Sequence, residues 1–293
     1  VDALSDDGAH GLTLIAFIGS VFSPWYRWAR RGGGGDPANH CTMNVALYGR
    51  GGKRWTMTER GRAAVSRDAA NLAIGPSSLH WDGNALRADL YEVTAPWPSR
   101  VSGSFRLIPK ALATHQVALD GAGRHRWGPI APGARIEVAL DRPGLTWQGT
   151  AYFDTNAGDE PLEEGFVGWD WCRAPLGAGG VGVLYHGQRR DGTAFTTALR
   201  YGTDGSAEDF EPPPLCTMKP GFWGVKRTTL AEPGRPPCVT QVLEDAPFYT
   251  RSVIASRLLG EDVTAVHESL SLDRFVAPWV QLMLPFKAPR SPF

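Results

Sequence analysis

Apolar and polar positions alternate in short runs along most of the chain. Runs at residues 12–21, 42–48, 54–58, 72–74, 78–81, 85–93, 99–107 and 116–118 are rich in aliphatic and aromatic side chains and end at Gly, Asp, Asn or Pro. Short runs of this composition, bounded by turn formers, predict β-strands. Asp82-Gly83-Asn84 separates two of them and reads as a tight hairpin. Further strands are predicted at 124–127, 135–140, 145–154, 167–174, 180–188 and 193–201, with turns at Pro132-Gly133, 141–144, 190–192 and 203–205. Only residues 59–70 have a helical look, which Gly61 weakens.

Glu211-Pro212-Pro213-Pro214 is the clearest break, because no central strand or helix holds such a run. Aromatic and β-branched segments resume at 222–229, 238–243, 249–257, 265–272 and 276–284. The expected fold is all-β with very little helix, as two tandem β-barrel-like domains. Residues 1–210 would form the larger one and carry most of any site; residues 211–293 would form a smaller one that closes the pocket. A single β-sandwich is the competing architecture.

Composition supports this reading and narrows the partners. The 35 Gly, 23 Pro and 11 Trp suit many turns between short aromatic strands. Thirty basic and thirty acidic residues cancel, so no nucleic-acid partner is expected. Cys41, Cys172, Cys216 and Cys238 show no paired spacing and read as reduced thiols of a cytoplasmic protein. The apolar run 12–22 is too short to span a bilayer, and the acidic residues before it do not suit a secretory signal.

Several chemistries leave no motif. There is no phosphate-binding Gly-x4-Gly-Lys, and Gly32–Gly35 reads as a loop. His267-Glu268 lacks a second histidine at metal spacing, and no Gly-x-Ser-x-Gly elbow exists. The remaining candidates lie in "RHRWGPIAPGARIEVALDRPGLTWQGTAYFD". His125 and Trp127 share one strand face, and Tyr152 and Asp154 share another. With one strand between the pairs, they would lie about 10 Å apart. A carboxyl group in an aromatic-lined cavity favours its neutral form, because desolvation penalises the anion. Core packing of Trp127 and Tyr152, a turn role for Asp154 and a structural role for His125 are the competing readings.

The segments "SDDGAHGLTLIAFIGSVFSPWYRWARR", "DPANHCTMNVALYG", "WTMTERGR", "IGPSSLHWDG" and "APWPSRVSGSFRLIPKAL" resemble the carotenoid 1,2-hydratases, or hydroxyneurosporene synthases, of purple photosynthetic bacteria. The resemblance runs from about residue 5 to the end of the chain. More distantly, "YFDTNAG…GWDW" is similar to a pocket-lining segment of tandem lipocalin-like proteins. The resemblance implies hydration of the terminal double bond of an acyclic carotenoid such as neurosporene or lycopene, with water as co-substrate and no cofactor or metal. Its catalytic histidine, tryptophan, tyrosine and aspartate fall on His125, Trp127, Tyr152 and Asp154.

On that reading Asp154 protonates the alkene and water captures the tertiary cation. Trp127 and Tyr152 offer ring faces to the charge. Tyr152 holding the carboxyl group is equally open, as are three roles for His125: orienting the water, taking its proton, or bonding Asp154. Trp81 (beside His80), Trp169 and Trp171 are candidate substrate-binding residues. The run "FSPWYRWARR" sets Trp25 and Tyr26 beside arginines, the composition of a peripheral membrane contact. Alternative functions are a terpenoid or polyene cyclase on the same scaffold and a non-catalytic carrier of apolar ligands.

Overall fold

The computed structural model describes residues 1–291 and is all-β in character, as the alternation predicts. Contacts divide the chain into two compact units. The first comprises Val1–Pro109, Ala134–Tyr152 and the described residues from Gln281; the second comprises Lys110–Gly133 and Phe153–Val280.

The first unit contains β1 (Asp2–Ser5), β2 (His10–Ile18), α1 (Pro24–Arg31), β3 (Cys41–Gly49), β4 (Arg54–Thr56), β5 (Glu59–Arg60), β6 (Val65–Arg67), β7 (Asn71–Ile74), β8 (Ser77–Trp81), β9 (Leu86–Val93) and β10 (Arg100–Pro109). After β11 (Val117–Ala118), the long strands β12 (His125–Arg142) and β13 (Leu145–Gly158) each have residues in both units. The sheet order is β4-β3-β2-β1-β13-β12-β10-β9-β8-β7-β6. Strict alternation governs β9, where Leu86, Ala88 and Leu90 are buried and Arg87, Asp89 and Tyr91 are exposed. By contrast, β3 is buried on both faces, and Asn44 satisfies its buried amide by donating to the Thr56 carbonyl at 2.6 Å. The Asp82–Ala85 hairpin forms as expected, with Gly83 at a φ of 97°.

The second unit holds α2 (Leu162–Gly165), β14 (Phe166–Pro175), β15 (Val181–Arg189), β16 (Ala194–Tyr201), β17 (Ala207–Asp209), β18 (Leu215–Met218), β19 (Arg227–Leu230), β20 (Cys238–Asp245), β21 (Tyr249–Leu258), β22 (Glu261–Ser271) and α3 (Leu272–Phe275). Its antiparallel sheet runs β17-β16-β15-β14-β22-β21-β20, and β18 and β19 form a separate ribbon. One sheet face buries Cys172, Ala174, Leu184, Ile254 and Ala265 with Met218 and Leu230 of the ribbon. Asp170 pins the ribbon by accepting from the Thr228 amide, the Thr228 hydroxyl and the Ser269 hydroxyl. On that side His267 is fully buried, which pulls its pKa below the ordinary histidine value and keeps the ring neutral. Alternation places Trp169, Trp171 and Arg173 on the opposite face. Tyr185 and Glu268 pair in register with Trp171, and Arg251 with Glu268.

The structure corrects five local expectations. Residues 59–70 form no α-helix: β5 pairs with β3, residues 62–64 make one 3-10 turn, and β6 pairs with β7. Buried ion pairs hold this stretch extended, with Glu59 on His40 and Arg290 and Arg60 on Glu92. Pro132-Gly133 does not turn the chain, and β12 passes straight through it. There the neighbouring segment donates Lys110 and Ala113 amides to the Gly133 and Ile130 carbonyls, so the missing proline donor leaves no bond unmade. Residues 276–284 are helical instead of extended, within α4 (Pro278–Lys287). The strand begun at residue 12 ends at Ile18, and α1 follows, capped by Ser23 with Pro24 in its first turn. Residues 222–226 precede β19 as a turn, closed by the Gly224 amide on the Gly221 carbonyl.

Among the described residues, no helix is long and apolar enough to cross a membrane. All four cysteines are free thiols.

Candidate active site

Because β12 and β13 are neighbours, the two sequence pairs are closer than a three-strand meander implies. The Trp127 indole nitrogen donates to Asp154 Oδ2 at 2.9 Å. Trp127 is 1% exposed, whereas Asp154 is half-buried. The carboxyl group therefore combines a fixed rotamer with access.

Tyr185 closes the aromatic side of this pair. Its ring stands edge-on to Trp127 at 5.3 Å, to Trp169 at 6.2 Å and to Phe195 at 5.4 Å. Edge-to-face packing puts the positive rim of one ring on the negative face of another. Phe166 continues the cluster, touching Trp169 at 5.9 Å, Phe195 at 5.7 Å and the His125 ring at 4.7 Å. Burial pushes the Tyr185 phenol well above the ordinary tyrosine range, and the Glu268 and Asp154 charges push it further. Tyr185 is thus a neutral phenol near two carboxyl groups.

His125 is held from one side. Its Nδ1 lies 2.9 Å from Asp120 Oδ2, and its own amide donates to the same oxygen at 2.7 Å. Asp120 Oδ1 accepts from the Ala122 and Arg124 amides at 2.9 and 3.1 Å. Desolvation raises the Asp120 pKa, but the hydrogen bonds from Arg124, the His125 ring, the His125 amide and Ala122 outweigh it, bringing it down to about 2. An ionised Asp120 only accepts, so Nδ1 donates to it, and in the tautomer with its hydrogen on Nδ1 the other nitrogen, Nε2, is an acceptor. Nε2 is buried and makes no hydrogen bond among the described residues. Two glycines make room for the ring: a Cβ on Gly165 would stand 2.7 Å from His125 Cε1, and one on Gly158 would stand 3.2 Å from Cδ2.

The other residues singled out from sequence are placed as follows. Tyr152 is 1% exposed on β13, two positions before Asp154 and opposite Asp2 of β1. Trp171 is buried in register with Tyr185 and Glu268. In the first unit, exposed His80 contacts Asn71 through Nδ1 at 2.7 Å, and Trp81 is half-buried beside it. Trp25 donates its indole N–H to the Ala288 carbonyl at 2.8 Å, and Tyr26 packs on His40 at 5.0 Å. Among the described residues, no group of three or more His, Cys, Asp or Glu is placed to hold a metal ion.

Asp120, Phe166, Tyr185 and Phe195 were not distinguished by sequence reasoning. Asp120 opens Asp-Gly-Ala-Gly, which reads as an ordinary turn. The three rings lie on β14, β15 and β16 with nothing in their spacing to set them apart, and only register brings them together.

An all-β scaffold carrying a half-buried carboxyl group and an Asp–His pair among packed rings is the kind of site an enzyme would offer. The sequence profile described as "Carotenoid hydratase CrtC" matches residues 14–292, and the chain belongs to this family of hydro-lyases. It is 55% identical over 291 residues to the acyclic carotenoid 1,2-hydratase of Thiocapsa roseopersicina, covering 99% of this chain and 72% of that protein. The protein of that name from Rubrivivax gelatinosus is 53% identical over 293 residues, covering 99% and 72%. Its namesake from Cereibacter sphaeroides is 43% identical over 280 residues, covering 95% and 98%.

Proposed function

We propose that the chain adds water across the terminal C1–C2 double bond of an acyclic carotenoid, such as neurosporene or lycopene, to give the tertiary 1-hydroxy product. The Trp127–Asp154 hydrogen bond carries this reading, since it aims one carboxyl group into an aromatic cluster. With Oδ2 accepting from the indole, Oδ1 bears the acidic proton. Asp154 transfers that proton to C2, and the π electrons form the new C–H bond, leaving a cation at C1 and a carboxylate on Asp154. Trp127 and Tyr185 line the cation, at about 0.5–2 kcal/mol for each desolvated ring face. A water oxygen bonds to C1. His125 Nε2 takes the proton this water sheds and passes it to Asp154, which restores the acid. Trp169 and Trp171 line the polyene. The substrate is a membrane-resident hydrocarbon, so the enzyme works at a bilayer surface.

Incubation with lycopene followed by mass analysis tests the reaction. A gain of one water is expected, and Asp154→Asn abolishes it without unfolding the protein. An isomer of unchanged mass would mean a cyclase, unchanged bound ligand a carrier, and near-full turnover by Asp154→Asn a different acid.

A further inference from the structure

The helix α4 has an unusual distribution of side chains. In Pro278–Lys287, PWVQLMLPFK, only Gln281 and Lys287 are polar, and there is no acidic residue. One side is buried through Val280, Gln281 and Leu284. The other side is just as apolar, yet open: Leu282 is 73% exposed, Met283 42% and Phe286 68%. Leu282 and Met283 stand four and three residues before Phe286, the spacing of one helical face. An apolar helix in water ordinarily buries all its faces, and an exposed stripe of this size marks an interaction surface.

Its surroundings in the first unit are aromatic and basic. Trp25 of α1 bonds the Ala288 carbonyl just past the end of α4 and packs edge-on against Trp28, which is 46% exposed. The α1 helix contains no acidic residue and ends in Arg30 and Arg31, while Lys287 closes α4. Tryptophans with a few cations beside long apolar side chains are suited to the water–lipid boundary, where rings sit at headgroup level and cations meet lipid phosphates.

We infer that the exposed face of α4 formed by Leu282, Met283 and Phe286 docks on an anionic lipid bilayer, with Trp28, Arg31 and Lys287 at headgroup depth. The charge sign selects the lipid: cations without acids favour an anionic surface, and each is worth roughly a fivefold gain in binding there. The inference rests on the reading of the substrate as a membrane-resident carotenoid, and docking is measured without it.

Flotation of the whole chain with phosphatidylcholine vesicles, with and without phosphatidylglycerol, tests the surface. Binding is expected to rise with the anionic lipid and fall with salt. Leu282→Glu/Phe286→Glu should lower partitioning by about a hundredfold, since two large apolar groups leave the lipid. Circular dichroism checks the fold, and turnover of detergent-dispersed lycopene should stay near wild type while turnover from vesicles falls. Wild-type chain that fails to float, or a double variant that floats equally well, overturns the inference. So does sedimentation showing a wild-type dimer that the variant dissociates, because the stripe would then face a second copy. Flotation without hydration of any carotenoid leaves the docking surface standing and removes the proposed reaction instead.

Discussion

Asp120→Asn removes one charge and keeps the side chain's shape. In the wild type four hydrogen bonds hold the carboxylate and lower its pKa from 3.8 to about 2. A shift of just under two pH units, at about 1.4 kcal/mol each, gives roughly 2 kcal/mol of folding free energy. The side chain is only 11% exposed, so solvent screening removes little of it. The sign follows from linkage. A folded-state pKa below the unfolded one stabilises fully above the unfolded value of about 4, and the contribution disappears as pH falls through about 2. Urea unfolding of wild type and Asp120→Asn between pH 2 and 7 should show a gap of about 2 kcal/mol at pH 7 that closes towards pH 2. The same change also alters His125. An asparagine can offer its carbonyl to the Nδ1–H or its amide to a bare Nδ1, so the ring is no longer confined to the tautomer with a free acceptor Nε2. Turnover should drop by at least about tenfold, with nitrogen NMR showing a mixture of ring tautomers. A stability gap constant with pH, or a single unchanged tautomer, would refute the reasoning.

Trp127→Phe keeps a ring against Tyr185 but deletes the donor to Asp154, so it should cost about 1–3 kcal/mol; Trp127→Ala should cost about 3–5 kcal/mol by leaving a cavity. Denaturant unfolding ranks the two, and turnover should fall in the same order. In Gly165→Ala, the added methyl would stand 2.7 Å from His125 Cε1. The imidazole must shift, so turnover should fall severalfold or more while circular dichroism stays unchanged; full activity would mean that the ring position does not matter.

Most strands were legible because each is short, rich in aliphatic and aromatic residues and ends at a turn former. Where that reading failed, the cause lay outside the local pattern. Pro132-Gly133 has turn chemistry, yet the partner segment asks only for carbonyls there, so β12 continues. Residues 59–70 looked helical, but Glu59 and Arg60 are tied to His40, Arg290 and Glu92, far away in sequence. The start of α1 carried a readable signal in Ser23-Pro24, which the aromatic run obscured.

Spacing by itself determined which residues of β12 and β13 share a face, because side-chain direction alternates with every residue. On that basis His125 stood with Trp127, and Tyr152 with Asp154. Strand adjacency and register decided the rest: that Trp127 bonds Asp154, that Tyr185 from β15 closes the ring cluster, and that Asp120 ionises and grips His125. Those contacts join residues set by sheet order, a cooperative property of the whole chain. A local period names the face a side chain points to, and only the folded sheet names what it meets there.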